Sequence, residues 1–200
     1  MRLTRPVIAA VAVAAIGAFA LPSQAAGKTA TLYFDNQGKS GTGPCTPAYV
    51  LIKTAPTGSP CEGETVAIDD NGAVTTDTYG SLTNAVGWKL DAKRPLTGVV
   101  NIGNYPIISS GASPNQTAGG PSGADVTIQV NGITVGTVSG SGVAAPGGAV
   151  AIPVKLKLPA KLNKKVVKSV TTIVKMTTGV VLTGVSYGAG TQSKLVFPTR

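Results

Sequence analysis

The sequence predicts an all-β fold, a two-sheet antiparallel sandwich of jelly-roll type. The chain after residue 25 is rich in valine, threonine and glycine and also contains isoleucine, and almost every apolar run is short and interrupted by turn-forming residues. Such a composition is typical of strands and turns and not of helices. Eight or more strands at this spacing fit one domain that is built from two packed sheets.

The first segment, residues 1–25, has the three parts of a cleavable secretory signal. Two arginines give a positive start, residues 7–21 form an uncharged apolar run, and Ser23 and Ala25 supply the small residues that precede a cleavage site. An uncleaved membrane anchor is the alternative, but the run is shorter than the roughly 20 apolar residues that span a bilayer. We therefore expect an exported chain whose mature part, residues 26–200, forms a single β-sandwich domain.

Short apolar runs predict the strands that follow the signal. In chain order these runs are residues 31–35, 48–54, 66–68, 73–76, 88–91, 96–102, 126–138, 150–158, 170–176 and 180–185. The sequence Asp70-Asn71-Gly72 predicts a hairpin turn between the third and fourth runs. Residues 159–168 predict a single turn that leads into the next strand. Trp88 shares a face with Leu90 and is expected in the core.

The clearest hairpin lies at residues 126–138, around Asn131-Gly132. This dipeptide favours a type I′ turn because both central residues need positive φ. A two-residue loop then fixes the register: Val130 faces Ile133, Ile128 faces Val135, and Val126 faces Thr137. One face of the predicted hairpin is almost entirely apolar.

Residues 150–158 alternate as cleanly. Val150, Ile152, Val154, Leu156 and Leu158 are expected to face the core, and the residues between them to face solvent. Pro153 has no N–H to donate, so this strand should lie at an edge or carry a bulge.

Cys45 and Cys61 are the two cysteines of the chain, and both lie in the exported part. In an oxidising compartment they predict one structural disulfide. Closing such a loop restrains the unfolded chain by about 3 kcal/mol in the entropic model. A metal site or a nucleophilic thiol is the alternative, but the chain contains no histidine to complete either one.

Positive charge is concentrated in the last third of the chain. The net charge of the whole chain is +9, and no acidic residue follows Asp125. The lysines that form the candidate binding surface for an anionic polymer are Lys155, Lys157, Lys161, Lys164, Lys165 and Lys168. The alternative is a solubilising surface whose lysines also keep exposed strands from pairing with other chains. Since aromatic and arginine residues are not interleaved with these lysines, no specific nucleic acid is expected as partner.

The order of features in the second half of the chain resembles a known domain. Pro95-Leu96-Thr97-Gly98 opens a strand, Pro146-Gly147 precedes residues 150–158, and the chain closes on residues 193–198. Residues 88–198 thereby resemble the non-catalytic jelly-roll domain at the C-terminal end of bacterial X-Pro dipeptidyl-peptidase and acyl-esterase hydrolases. The resemblance implies a galactose-binding-like sandwich that supports or positions another component. The hydrolase domain itself has no counterpart in this sequence.

Few residues offer catalytic or metal-binding chemistry. Without histidine, a nucleophile–histidine pair is excluded. Glu62 and Glu64 would share a face of an extended segment and are the candidate carboxylate pair. Asp69, Asp70 and Asn71 are the best oxygen cluster for calcium. A hairpin turn explains this last cluster without a metal, so no cofactor is expected.

These observations predict a secreted, non-enzymatic β-sandwich that acts as a binding or structural module in the extracellular or cell-wall space. The expected partner is an anionic cell-wall polymer or polysaccharide, and the mature form is expected to have no membrane span. An extracellular hydrolase that works through carboxylates is the alternative function.

Overall fold

The computed structural model describes residues 27–36, 49–55, 76–81, 87–104, 119–146, 148–179, 183–185 and 192–200. Nearly all regular structure in these residues is β-strand. The strands are β1 (Thr29–Asn36), β2 (Tyr49–Ile52), β3 (Thr76–Ser81), β4 (Leu96–Asn104), β5 (Gly120–Val130), β6 (Ile133–Ala144), β7 (Val150–Leu156), β8 (Val170–Thr178), β9 (Thr183–Val185) and β10 (Lys194–Pro198). One short 3₁₀ helix, Ala160–Leu162, precedes β8.

The strands form a hydrogen-bonded ladder in the order β6-β5-β8-β3-β2-β1-β10-β4-β7, with β9 paired to β4. This ladder folds over so that β6 packs on β7 and β5 packs on β4. The first layer consists of β6, β5, β8 and β3, and the second consists of β2, β1, β10, β4 and β7. The predicted all-β sandwich is confirmed, and its jelly-roll type stays a prediction.

One strand pair departs from the antiparallel arrangement that the sequence predicts. β2 and β3 run parallel and share the two residue pairs Val50–Gly80 and Leu51–Ser81. The other strand pairs in the described part of the chain are antiparallel. The parallel pair joins the two layers.

Alternating apolar residues of both layers form one core. Val126, Ile128, Val130, Val174 and Met176 come from the first layer, and Leu32, Phe34, Val100, Ile102, Leu195 and Phe197 come from the second. Every one of these side chains is inaccessible to solvent or nearly so. The period-2 pattern of the strands therefore places one face of each layer inside the sandwich.

The predicted turn between β5 and β6 is confirmed. Asn131 has φ 52° and Gly132 has φ 73°, the positive values that a type I′ turn requires. Val130 pairs with Ile133 on either side of this turn, as predicted.

Farther from the turn, the predicted register of this hairpin is wrong. The ladder shifts by one residue at Ile128, for which Val135 was the predicted partner. The next residue of β6 pairs with Ile128 instead, and Val138 takes the place of Thr137 opposite Val126. This β-bulge turns the hydroxyl of Thr137 to solvent and brings an apolar side chain to the core face.

β7 follows the predicted alternation. Ile152, Val154 and Leu158 are buried, while Pro153 is exposed. The strand pairs with β4 on one side and ends the ladder on the other, so Pro153 lies on an edge strand as predicted. After β7, the 3₁₀ helix supplies the predicted single turn and buries Leu162.

Several predictions lie outside the described residues. These are the signal segment 1–25, the disulfide between Cys45 and Cys61, the hairpin turn at residues 70–72, the calcium candidates Asp69, Asp70 and Asn71, and the carboxylate pair Glu62 and Glu64. They stay predictions.

Candidate functional site

One end of the sandwich is closed by segments that carry most of the basic residues. β1 and β4 begin at this end, and β7 and β10 finish there, because Thr29 pairs with Pro198 and Leu96 pairs with Leu156. Residues 87–95, 157–169 and 199–200 lie beyond these strand ends.

Backbone hydrogen bonds hold two of these segments side by side. The Leu90 N–H donates to the Lys165 carbonyl at 3.0 Å, and the Lys164 N–H donates to the Leu90 carbonyl at 2.9 Å. The Val167 N–H donates to the Trp88 carbonyl at 2.8 Å. Residues that are far apart in sequence thereby present their side chains on one surface.

Asn131 connects the β5–β6 turn to the same surface. Its side-chain Nδ2 donates to the Val166 carbonyl at 2.9 Å, and its Oδ1 accepts from the Lys168 N–H at 2.7 Å and from the Ser169 N–H at 3.2 Å. The backbone N–H of Asn131 also donates to the Ser169 carbonyl at 2.9 Å. This asparagine therefore fixes both a turn and the segment that carries the lysines.

Asn163 and Lys164 form the bend in the lysine segment. Lys164 adopts the left-handed conformation, with φ 61°. Asn163 Oδ1 accepts from the Ala92 N–H at 3.2 Å and lies 3.4 Å from Arg200 Nη2. The bend therefore contacts both neighbouring segments.

We call this surface the basic end. Its basic side chains are Lys28, Lys53, Lys89, Lys93, Arg94, Lys157, Lys161, Lys164, Lys165, Lys168 and Arg200. All of them except Arg94 are exposed. Asp91 is the acidic residue in the same segments, so positive charge greatly exceeds negative charge here.

The carboxylate of Asp91 forms ion pairs with two arginines. Its Oδ2 lies 3.1 Å from Arg94 Nε, and its Oδ1 lies 3.6 Å from Arg200 Nη2. Desolvation alone would raise the pKa of this carboxyl, but hydrogen bonds from Arg94 and the Lys93 N–H and the charges of Arg200 and Arg94 lower it more. The net result is a pKa below the usual value for aspartate, so Asp91 is ionised at neutral pH.

Arg94 has a structural role within the basic end. Its Nη2 donates to the Lys28 carbonyl at 2.7 Å and to the Thr199 carbonyl at 2.8 Å. It thereby joins the start of β1 to the segment after β10. The lysines carry the charge that stays open to solvent.

Trp88 lies at the border between the core and the basic end. It is half-buried and packs against the core, with its ring centroid 6.1 Å from that of Phe197. Lys53 Nζ lies 5.7 Å from the centroid of the indole ring, within the range of a cation–π contact. The core position predicted for Trp88 is therefore only partly correct.

The structure separates the predicted lysines into two groups. Lys157, Lys161, Lys164, Lys165 and Lys168 belong to the basic end, and Lys155 projects from the outer face of β7, where it pairs with Thr97 of β4.

Sequence reasoning missed the other members of the basic end. The segments that carry Lys28, Lys89, Lys93 and Arg200 approach residues 157–169 only through the pairing of distant strands. The one local sign was the run at residues 89–94, in which three basic residues accompany one acidic residue.

Among the described residues, no group of three or more acidic, cysteine or histidine side chains is arranged to hold a metal ion. None of the helices in that part of the chain is long and apolar enough to cross a membrane. No family model matches the chain, and no curated protein or solved structure matches it. The fold and the basic end are thus the features from which function can be argued.

Proposed function

We propose that this chain is an exported, non-enzymatic β-sandwich module whose basic end binds an anionic extracellular polymer, such as a cell-wall polymer or an acidic polysaccharide. The supporting observation is that exposed lysines from several segments gather on one surface. Arg94 and Arg200 already balance the negative charge of Asp91 on this surface. The resemblance to hydrolase-associated sandwich domains agrees with a supporting role and stays a prediction.

A polymer with regularly spaced negative charges suits this surface for a physical reason. Each lysine that contacts an anionic group displaces a bound counterion, and the gain in free energy comes from that release. Exposed charges act over a Debye length of about 10 Å at 0.1 M salt. Several lysines on one surface therefore act together on a polymer, whereas a small anion would contact only a few.

The solubilising role of the lysines is the competing explanation. A purely solubilising charge would be spread over the sheet faces with both signs mixed. In the described residues, most of the lysines instead gather at one end, and Asp91 there forms ion pairs with two arginines. This distribution favours a binding surface.

Titration of the chain with a fluorescent polygalacturonate at several salt concentrations tests the proposal. We expect the binding constant to fall steeply between about 50 and 200 mM salt, as for other multi-charge contacts. The double variant Lys161→Gln, Lys165→Gln should bind at least about tenfold more weakly at low salt. The matched control Lys175→Gln, Lys194→Gln removes the same charge from the two sheet faces and should bind nearly as tightly as the wild type.

If both double variants lost affinity for the polymer equally, the basic end would not be the binding site. The loss would then reflect only the lower net charge of the chain. Binding that is unchanged by salt would reject an electrostatic partner altogether.

A further inference from the structure

The two strands that end the ladder differ in how their free edges are protected. β7 carries Pro153 and Lys155, and Lys157 follows it. Proline and lysine are the residues that discourage an edge strand from pairing with another chain. β6 contains neither of them and has no charged residue in its sequence ITVGTVSGSGVA.

The edge of β6 that does not face β5 is long. The strand spans 12 residues, pairs with β5 along its length and packs on β7 through its core face. Thr137, Ser139, Ser141 and Val143 are exposed, and Val143 retains 80% of its accessible surface. In the described part of the chain, the backbone of β6 pairs with β5 and with no other strand.

Most of β6 has a regular backbone, because its pairing with β5 shifts at one position only. The bulge lies close to the β5–β6 turn, and residues 136–144 pair with β5 without a further shift. Gly136 and Gly140 face Leu156 and Ile152 of β7 and allow the two strands to approach closely. Among the described residues, this nine-residue stretch therefore has a regular backbone edge that pairs with no second strand.

From these observations we infer that β6 pairs with β6 of a second copy of this chain, antiparallel and about a two-fold axis. A two-fold antiparallel pair places the same strand against itself, so the partner needs no complementary charge. The chain carries a net charge of +9, and self-association through a lysine-bearing edge would bring like charges together. β6 is the ladder edge at which two copies meet without that repulsion.

The direction of pairing supports the same arrangement. β6 begins at the basic end, at Ile133, and finishes at the opposite end, at Ala144. An antiparallel β6–β6 pair therefore holds the two basic ends on opposite sides of the dimer, as far apart as this edge allows. Pairing through β7 would instead bring Pro153 and Lys155 of each copy into the interface.

Sedimentation of the full chain as a function of concentration, together with hydrogen exchange, tests the inference. We expect a monomer–dimer equilibrium in which amides of residues 136–144 become more protected as the concentration rises, while those of β7 do not. The variant Ser141→Lys, Val143→Lys should raise the dissociation constant at least about tenfold. The control Ala151→Lys, Thr178→Lys adds the same charge at exposed positions outside β6 and should dimerise like the wild type.

A monomer at every concentration up to about 0.5 mM would overturn the inference, since edge pairing of this length should be detectable there. Equal weakening by both variants, or new protection that maps away from β6, would overturn it as well. None of these outcomes depends on polymer binding, so the result is independent of the proposed function.

Discussion

At the scale of single residues, two buried hydroxyls stand out. Ser122 Oγ and Thr172 Oγ1 are inaccessible to solvent and have no hydrogen-bond partner among the described residues. A buried polar group without a partner costs about 1–3 kcal/mol in desolvation. Both side chains lie on strands of the first layer, β5 and β8, whose neighbouring core positions are apolar.

Thr172→Val should therefore stabilise the protein. The replacement keeps the branched shape and removes the unpaired hydroxyl, so we expect the free energy of unfolding to rise by about 1–2 kcal/mol. Urea denaturation measures this change, and Thr171→Val, at a half-exposed position, is the control. A loss of stability specific to the Thr172 variant would mean that the hydroxyl has a partner.

Gly98 lies where β4 and β10 approach each other closely in the second layer. A Cβ atom at this position would collide with the backbone carbonyl of Lys194, on the neighbouring strand β10. Because a backbone atom cannot move aside as a side-chain end can, Gly98→Ala should destabilise the protein by about 1–3 kcal/mol.

Gly80→Ala is the matched control for this prediction, since no atom of the described residues lies within 4 Å of its Cβ position. Thermal unfolding of both variants should show a marked decrease in Tm for the first and little change for the second. Similar Tm values would indicate that β4 and β10 can separate without cost.

At the scale of elements, the β5–β6 turn has two roles that mutation can separate. Asn131→Gly keeps the positive φ but removes the three side-chain hydrogen bonds, whereas Asn131→Ala also opposes the turn conformation. With about 1 kcal/mol for each bond, we expect losses of about 2–3 kcal/mol for glycine and more for alanine. Urea denaturation gives both values, and a smaller loss for alanine than for glycine would contradict this account.

Local patterns predicted the elements well where the pattern alone decides the structure. The alternation of residues 150–158 and the Asn131-Gly132 pair each agree with the structure because periodicity and turn geometry act over a few residues. The bulge beside Ile128 was not predicted, because no local sequence pattern indicates that β6 contains an extra residue at this point. The parallel β2–β3 pair depends on contacts between distant segments and was likewise not predicted.

The basic end also combines residues that local sequence predicts with residues that only contacts between distant segments bring together. Lys161, Lys164, Lys165 and Lys168 were predicted because they are close in sequence. The contributions from the start of β1, the segment around Leu90 and the end of β10 depend on strand order, which composition and spacing do not determine.

At the scale of the whole molecule, Asp91 links stability to pH. Its carboxyl pKa is lower in the folded protein than the usual value of about 3.9, so folding favours the ionised form. The contribution to stability is therefore complete above the unfolded pKa and is lost as the pH falls through the folded pKa. Asp91→Asn should be less stable than the wild type at pH 7, and the difference should shrink as the pH falls through the folded pKa of Asp91.

Denaturation of both proteins at a series of pH values measures this effect. Asp125→Asn, a variant of the aspartate that pairs with Ser139, serves as the control. A loss that stays the same at every pH of the series would show that Asp91 acts through packing and not through its charge.

The position of β10 between β1 and β4 has a consequence for how the chain reaches its native state. The second layer has no continuous ladder until residues 194–198 insert between strands that were synthesised much earlier. Such non-local pairing slows folding, because the entropy of closing a long loop is lost before the contacts form. A ribosome-bound chain that stops short of residue 194 would therefore stay incompletely folded, because nothing would yet connect β1 to β4.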